Sequence, residues 1–371
     1  MRILYIYRSL AIWGGIERIL VDKMNLLASM YGYDVYMLTS DQGNHPIPYS
    51  LDERVHFEDL KIRFHQQYQY HGLKRLIVAM RLKRLYEYRL SEKLCHVKPD
   101  VIVCTSADQI KTIVKVKGGT PLVVESHSIC KRTIEQGNIW LSRKWYRKSY
   151  LKTLSYADVI VALTEKDAVE WRKVHHNVVV IPNMVNLNKD SVSTHDSKRV
   201  IFVGRFDYQK RPLELVKIWQ RVYPRFPDWQ LDIYGEGEQQ RELEEVVSSL
   251  NMNITVHVPT DRILDCYRDS SLLVSTSLFE PFGLVIPEAM SCGLPVVAYD
   301  CPFGPDSLIE NGVDGYLIKL SDIDDFVEKV CLLLDNEEFR KKMGKNAVSS
   351  SQKYNAIKII PLLKNLFDQL L

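Results

Sequence analysis

Two kinds of hydrophobic run alternate along the chain. Short apolar stretches read as strands buried on both faces: RILYIY, DVYMLTS, DVIVCTS, PLVVES, DVIVALT and NVVVIP in the first half. The second half repeats the theme with VIFVG, QLDIY, ITVHV, SLLVSTS and LPVVAY. Between them lie segments with apolar residues at helical spacing, such as IERILVDKMNLLASM. Strand and helix in alternation predict parallel sheets covered by helices, an α/β architecture. A chain of 371 residues exceeds one core, so two domains are expected. The polar run NLNKDSVSTHDSK, residues 186–198, reads as the linker between them. The last forty residues read as helices, and IIPLLKNLFDQLL is strongly apolar.

The segment from Ser277 to Asp300 is the most informative. It reads as loop, helix, tight turn and strand after the apolar run SLLVSTS, with Gly293 closing the helix and Pro295 opening the strand. Glu280 then lies in the loop and Glu288 inside the helix. Between them, near Phe282, Gly283 and Leu284, the helix N-terminus offers unpaired amides and partial positive charge, which suits a phosphate. A phosphate socket flanked by two carboxylate acceptors is what a sugar nucleotide requires.

Further candidates stand at strand ends. VIFVG is followed by Gly204, where a turn is allowed, and then by Arg205 and Lys210. Two cations at the carboxyl edge of a sheet can hold a diphosphate, Arg by bidentate bonds and Lys as a point charge. RILYIY leads to Gly14–Gly15, a loop that is not GxGxxG and so does not meet the dinucleotide fingerprint. It is either a tight turn or a loop at the carboxyl edge of the sheet, where ligands bind. PLVVESHS ends in Glu125, Ser126 and His127; His127 is either structural or part of a site, and Glu125 either joins it or is a buried polar residue.

These strings resemble glycosyltransferase family 4, the group 1 retaining transferases of GT-B fold. FEPFG followed by PEAMSCGLPVVA carries the family's Glu-x7-Glu pattern, and GRFDYQKRP its Gly-Arg…Lys motif. The resemblance spans essentially the whole chain, looser between about residues 43 and 98. It implies that Glu280 contacts the donor sugar, Glu288 holds the ribose, Arg205 and Lys210 bind the diphosphate, Gly14 and Gly15 face the phosphates, and His127 lies near the donor sugar. It departs at Pro182–Asn183–Met184–Val185–Asn186, where the family has Pro-Asn-Gly-Val-Asp, and at Pro259–Thr260, where the usual Gly is missing.

Composition changes the picture in two ways. Seven Cys with no CxxC pair fit free thiols in a reducing cytoplasm, and neither a signal peptide nor a bilayer-spanning stretch is expected. The net charge of +3 hides an asymmetry: residues 1–185 carry 28 Lys and Arg against 18 Asp and Glu, residues 186–371 carry 21 against 28. Much of the excess falls between His71 and Lys98 (Lys74, Arg75, Arg81, Lys83, Arg84, Arg89), where Leu73, Ile77, Met80, Leu85 and Tyr88 supply an expected buried stripe. Arg132, Arg143, Lys144, Arg147, Lys148 and Lys152 add to the field. This face is either solvated or a surface for an anionic or lipid-linked acceptor at the membrane. Nothing resembles a nucleic-acid motif.

The expectation is therefore an α/β GT-B protein of two facing Rossmann-like domains with a cleft between them. Residues 1–185 form the acceptor-side domain, 186–354 the nucleotide-sugar domain, and residues from about 355 cross back to the first. The resemblance implies retaining transfer from a nucleotide-diphosphate sugar, and the CPFGP loop resembles a subset of the family acting on bacterial surface polysaccharides, which favours a UDP-sugar over GDP-mannose. The expected acceptor is a saccharide or lipid-linked molecule in bacterial surface polysaccharide synthesis, and the expected location is the cytoplasm or the inner face of the plasma membrane. No cofactor and no metal are expected, since no DxD motif or ligand cluster is visible. The rivals are another GT-B enzyme, such as a sugar-nucleotide epimerase, or an inactive nucleotide-sugar-binding protein.

Overall fold

The computed structural model describes residues 1–105, 107–134, 140–185, 187–188 and 190–371, and only the backbone of 107, 140–143 and 145. Asn186 and the side chain of Arg143 lie outside the described residues.

The chain forms two compact units, one of Met1–Pro182 with Ile359–Leu371, the other of Asn183–Lys358. In the first, seven strands run in the order β3-β2-β1-β4-β5-β6-β7. They are β1 (Arg2–Tyr7), β2 (Asp34–Thr39), β3 (Val55–Asp59), β4 (Val101–Cys104), β5 (Leu122–Glu125), β6 (Val159–Ala162) and β7 (Val178–Val180). Every pairing is parallel. The second unit holds β8 (Arg199–Val203), β9 (Gln230–Tyr234), β10 (Ile254–His257), β11 (Leu272–Ser275), β12 (Val296–Asp300) and β13 (Gly315–Lys319). Their order is β10-β9-β8-β11-β12-β13, again all parallel. Both sheets reverse direction beside their first strand, between β1 and β4 and between β8 and β11. That switch point opens a crevice at the carboxyl ends of the strands, where ligands of such sheets bind.

The cores follow the apolar runs. In the first unit Leu4, Ile102, Val124 and Ile160 pack with Trp171 and Leu154. In the second, Phe202, Ile233 and Val297 pack with Trp219 and Phe326. The last helix, Ala356–Leu370, buries Ile359, Ile360, Leu363 and Phe367, and its residues from Ile359 onward belong to the first unit. There Lys364 and Asp368 lie within electrostatic reach of Tyr33.

Three local expectations change. The polar run after Asn186 is not a free tether: Ser193 and His195 are buried in the second unit. Ser193 donates from N to the Cys292 carbonyl at 2.8 Å, and His195 Nδ1 bonds the Ser271 carbonyl at 3.2 Å. Polar side chains here satisfy backbone groups, which composition alone cannot distinguish from a solvated linker. β3 was not legible because its side chains at His56, Phe57 and Glu58 are exposed at a sheet edge. Most of the expected buried stripe of the basic helix Gly72–Val97 is solvent-facing: Leu73, Ile77, Met80 and Tyr88 are exposed. The helix instead buries Leu82, Tyr86, Leu90 and Leu94, whose four-residue spacing makes one continuous row.

Candidate active site

In the second unit, two loops leave the switch point, one after β8 and one after β11. The β8 loop turns at once, with Gly204 donating to the Tyr234 carbonyl at 3.0 Å. Asp207 shapes the rest: its Oδ1 accepts from the Lys210 amide at 2.9 Å and its carbonyl from the Arg211 amide at 3.0 Å. Arg211 takes left-handed backbone (φ 54°) and Pro212 starts the following helix. The Lys210 stem lies along Gly204, where a Cβ would come 3.3 Å from Lys210 Cγ.

The β11 loop is stitched to it. Thr276 Oγ1 donates to the Lys210 carbonyl at 2.9 Å, and the Leu278 amide to the Gln209 carbonyl at 2.8 Å. Gln209 Nε2 donates to the Phe279 carbonyl at 3.0 Å while its Oε1 accepts from Arg205 at 3.1 Å. The side chains then meet. Lys210 Nζ donates to Glu280 Oε1, and Ser277 Oγ donates to the same oxygen at 2.6 Å. Lys210 is 14% and Glu280 5% exposed at the side chain. Arg205 differs: it is 67% exposed, paired with Asp207 at 3.2 Å and with Gln209.

Beyond Glu280, Phe282 is buried with its ring edge-on to Tyr354 at 5.4 Å. Gly283 has φ +93°, a conformation that side chains rarely adopt, and it turns the chain into the helix Val285–Ser291. The amides of Phe282, Gly283 and Leu284 precede the intrahelical ladder. Gly304, of the loop after β12, backs this segment. A Cβ there would fall 2.3 Å from the Phe282 carbonyl oxygen and 2.9 Å from Glu280 Cβ. Glu288 is buried in the helix, one turn beyond Leu284. Burial pushes the Cys301 thiol up, and the Glu280 carboxylate adds to the shift.

In the first unit, Gly14 caps the helix Gly15–Tyr31 without a side-chain cap bond. Its carbonyl accepts from Tyr49 at 3.1 Å, and Glu17 folds back against it while accepting from Tyr7 at 2.9 Å. His127 follows β5 and shares a buried cluster. Lys23 Nζ and His127 Nε2 both contact Glu125 Oε2, at 2.9 and 3.1 Å. Lys23 and Glu125 are wholly buried and His127 is 4% exposed. Burial raises the Glu125 carboxyl, but Lys23 and His127 overcome it and hold it at about 2. Burial lowers the His127 imidazole, against the bond from Glu125. Both shifts favour a carboxylate beside a neutral imidazole, with Nε2 donating to Glu125.

Glu280, Lys210, Gly204, Phe282, Gly283 and Leu284 are therefore neighbours in one unit and Arg205 is tied to the same loop, while in the other unit Gly14 and Gly15 open the first helix and His127 follows β5. Sequence reasoning missed Lys23, Asp207, Gln209 and Ser277. A signal existed only for Lys23: it sits among the buried positions Leu20, Met24 and Leu27 of one helix face, where a lysine needs a partner. A polar cavity of about 440 Å³ in the second unit is lined by Arg199, Asp232, Tyr234, Cys266 and Arg268, none of them a candidate. Its two arginines are already paired, Arg199 with Asp232 at 2.8 Å and Arg268 with Asp190 and Asp265. Among the described residues no three His, Cys, Asp or Glu side chains are arranged to hold a metal ion.

Comparison with known proteins follows the two units. Residues 185–349 match the family described as Glycosyl transferases group 1, and residues 13–189 match Glycosyltransferase Family 4. The chain is 27% identical over 366 residues to an uncharacterized glycosyltransferase of Haemophilus influenzae, covering 95% of this chain and 96% of that one. It is 27% identical over 354 residues to the amylovoran biosynthesis glycosyltransferase AmsD of Erwinia amylovora, covering 92% of each. Among solved structures, a TarM variant of S. aureus in complex with fondaparinux, alpha-GlcNAc-glycerol and UDP superposes with a TM-score of 0.79 at 17% identity, over 99% of both chains. That likeness is one of fold, the GT-B fold.

Proposed function

The chain belongs to the group 1 glycosyltransferases of family 4 type, and from that premise we propose that it is a retaining, metal-independent enzyme using a UDP-sugar. The acceptor is a saccharide or a lipid-linked saccharide of bacterial surface polysaccharide synthesis, a reading supported by the amylovoran relative. UDP is supported by the nucleotide bound in the TarM neighbour. The proposed site of action is the cytoplasmic side of the membrane.

The observation that carries this reading is the Lys210–Glu280 contact beside the switch point of the second sheet. It sets a cation and an acceptor side by side where a sugar diphosphate needs both. Lys210 and Arg205 bind the diphosphate. Glu280 Oε2, which makes no bond among the described residues, accepts from sugar hydroxyls. Glu288 accepts from the ribose. The amides of Phe282, Gly283 and Leu284 add donors to the phosphate, Gly204 leaves room for the Lys210 stem, and Gly14 and Gly15 serve the phosphates through backbone groups.

In the transfer, the bond from the anomeric carbon to the phosphate oxygen breaks and negative charge grows on the leaving diphosphate. Lys210, Arg205 and the amides stabilise that charge more than they stabilise the ground state, which is what lowers a barrier. The acceptor oxygen bonds to the anomeric carbon on the face the phosphate leaves, and its proton passes to the departing phosphate oxygen. His127, held neutral, hydrogen bonds the donor sugar.

The test is nucleotide release from a panel of UDP- and GDP-sugars by the full chain, followed by determination of the product's anomeric configuration. Release from a UDP-sugar with retained configuration is expected. Inversion, or no release from any donor, overturns the reading.

A further inference from the structure

The basic helix Gly72–Val97 carries two apolar rows, and the fold uses one of them. The buried row runs through Leu82, Tyr86, Leu90 and Leu94. The other is Leu73, Leu76, Ile77 and Met80, spaced i, i+3, i+4 and i+7, and these are 74%, 55%, 54% and 49% exposed. At about 100° per residue the exposed row sits about 110° around the helix from the buried one, so one partner cannot cover both. Single exposed apolar residues need no explanation, whereas four in one stripe mark an interaction surface.

The charges say what covers it. Between Asp59 and Glu87 the chain carries seven Lys and Arg and no Asp or Glu. On the helix, Lys83 flanks the stripe on one side and Lys74 and Arg81 on the other, with Arg84 continuing its line; all four are exposed. Two tyrosines hold cations in place: Lys74 Nζ lies 4.4 Å from the Tyr70 ring centre and Arg75 4.7 Å from that of Tyr68, itself 61% exposed. Lys83 is lowered first by partial burial and then by the neighbouring Lys111 and Lys115, against Glu87.

We propose that residues 72–84 form a docking surface for an anionic lipid bilayer, with Leu73, Leu76, Ile77 and Met80 entering the headgroup boundary and the cations meeting lipid phosphates. An apolar stripe edged by long cationic side chains and tyrosines is the physical requirement for a helix that lies in such an interface. A second copy of the chain fits poorly, because it would bring two like-charged surfaces together. Among the described residues no helix is long and apolar enough to cross a membrane, so binding through this surface is peripheral and salt-sensitive.

The test is co-sedimentation of the full chain with phosphatidylcholine vesicles, with and without phosphatidylglycerol, compared with Leu76→Asp/Ile77→Asp and with Lys74→Glu/Arg81→Glu. Both positions of each pair are solvent-facing, and melting curves check folding. Wild type is expected to pellet with anionic vesicles and not with neutral ones, to release in high salt, and each double variant to bind roughly tenfold more weakly. Wild type left in the supernatant, equal binding to neutral vesicles, or variants that bind like wild type overturn the proposal. A dimer that the Asp variant dissolves, with no vesicle binding, assigns the stripe to self-association instead.

A separate observation concerns the same unit. We infer that Lys23 and Glu125 are positioning residues for His127, an inference that rests on the role given to His127 above. Lys23 and His127 share one carboxylate oxygen inside a core that also contains Tyr5, with Glu17 on the helix face beside it. Bonding at Nε2 fixes the ring's orientation and leaves Nδ1 as the nitrogen that Glu125 does not engage. Lys23→Met/Glu125→Leu removes both charges together, so neither stays buried and unpaired. It is expected to lower kcat roughly tenfold or more while donor KM and melting temperature hold. Wild-type kcat in this variant overturns the inference. Wild-type turnover in His127→Ala instead removes His127 from the reaction, so the two failures are distinguishable.

Discussion

Lys210 and Glu280 are 70 positions apart in sequence, yet the Lys210 ammonium bonds the same carboxylate oxygen of Glu280 that accepts from Ser277. Each leaves a strand bordering the switch point, β8 and β11, which pair directly. A group proposed for phosphate and a group proposed for sugar therefore neutralise one another in the free protein. Donor binding has to give Lys210 a new partner without leaving Glu280 uncompensated, and Ser277 keeps one donor on it throughout.

The two phosphate cations should separate by stability. Lys210→Met and Arg205→Ala are each expected to raise the barrier by about 3 kcal/mol, on the order of a hundredfold in rate. Only Lys210→Met should also lower the melting temperature, because it strands the nearly buried Glu280. Arg205 is two-thirds exposed and its loss should leave the melting curve in place. Turnover and calorimetry on both variants check this. Near-normal turnover in both would remove the diphosphate assignment.

Ser277→Ala removes the second donor to Glu280 Oε1. The expected cost is about 1–2 kcal/mol of stability, since the carboxylate is buried and keeps only Lys210. Chemical denaturation measures it. A smaller fall in turnover than that of Lys210→Met should accompany it.

Gly304→Ala tests the loop behind the Phe282 segment. The new methyl would lie 2.3 Å from the backbone carbonyl oxygen of Phe282, and no rotamer change relieves such a contact. A loss of about 1–3 kcal/mol is expected from overpacking. UDP affinity, read by titration calorimetry, should fall as the Phe282–Leu284 turn shifts. Unchanged affinity would separate this turn from nucleotide binding.

Two groups in different units set separate pH windows. Burial and the nearby Arg340 lower His195 to about 4, against an ordinary value of 6.5. The unfolded chain then takes up a proton that the fold refuses, so stability falls as pH drops from about 6.5 to about 4. Glu125 is held at about 2 against 4.5, so its contribution is present above about 4.5 and is lost between there and about 2. His195→Gln should flatten the first window and Lys23→Met/Glu125→Leu the second. Denaturation curves taken across both ranges, as differences from wild type, give the answer.

The apolar runs by themselves determined most of the architecture. A strand buried on both faces must be almost wholly apolar, so β1, β4, β5, β6, β8, β11 and β12 were legible from composition over a few residues. The loops carrying Glu280, Arg205 and Lys210 were legible because glycine and charge interrupt such runs abruptly. Tertiary structure alone decided who meets whom. Nothing local in sequence says that Lys210 bonds Glu280, that Ser277 joins them, or that Lys23 reaches Glu125 across 102 positions. Those partnerships follow from strand order, which sums weak pairings over the whole sheet. The same holds for the helix Gly72–Val97: periodicity showed its apolar residues, but only packing decided that Leu82 and Tyr86 go inside while Leu73, Ile77 and Met80 face outward.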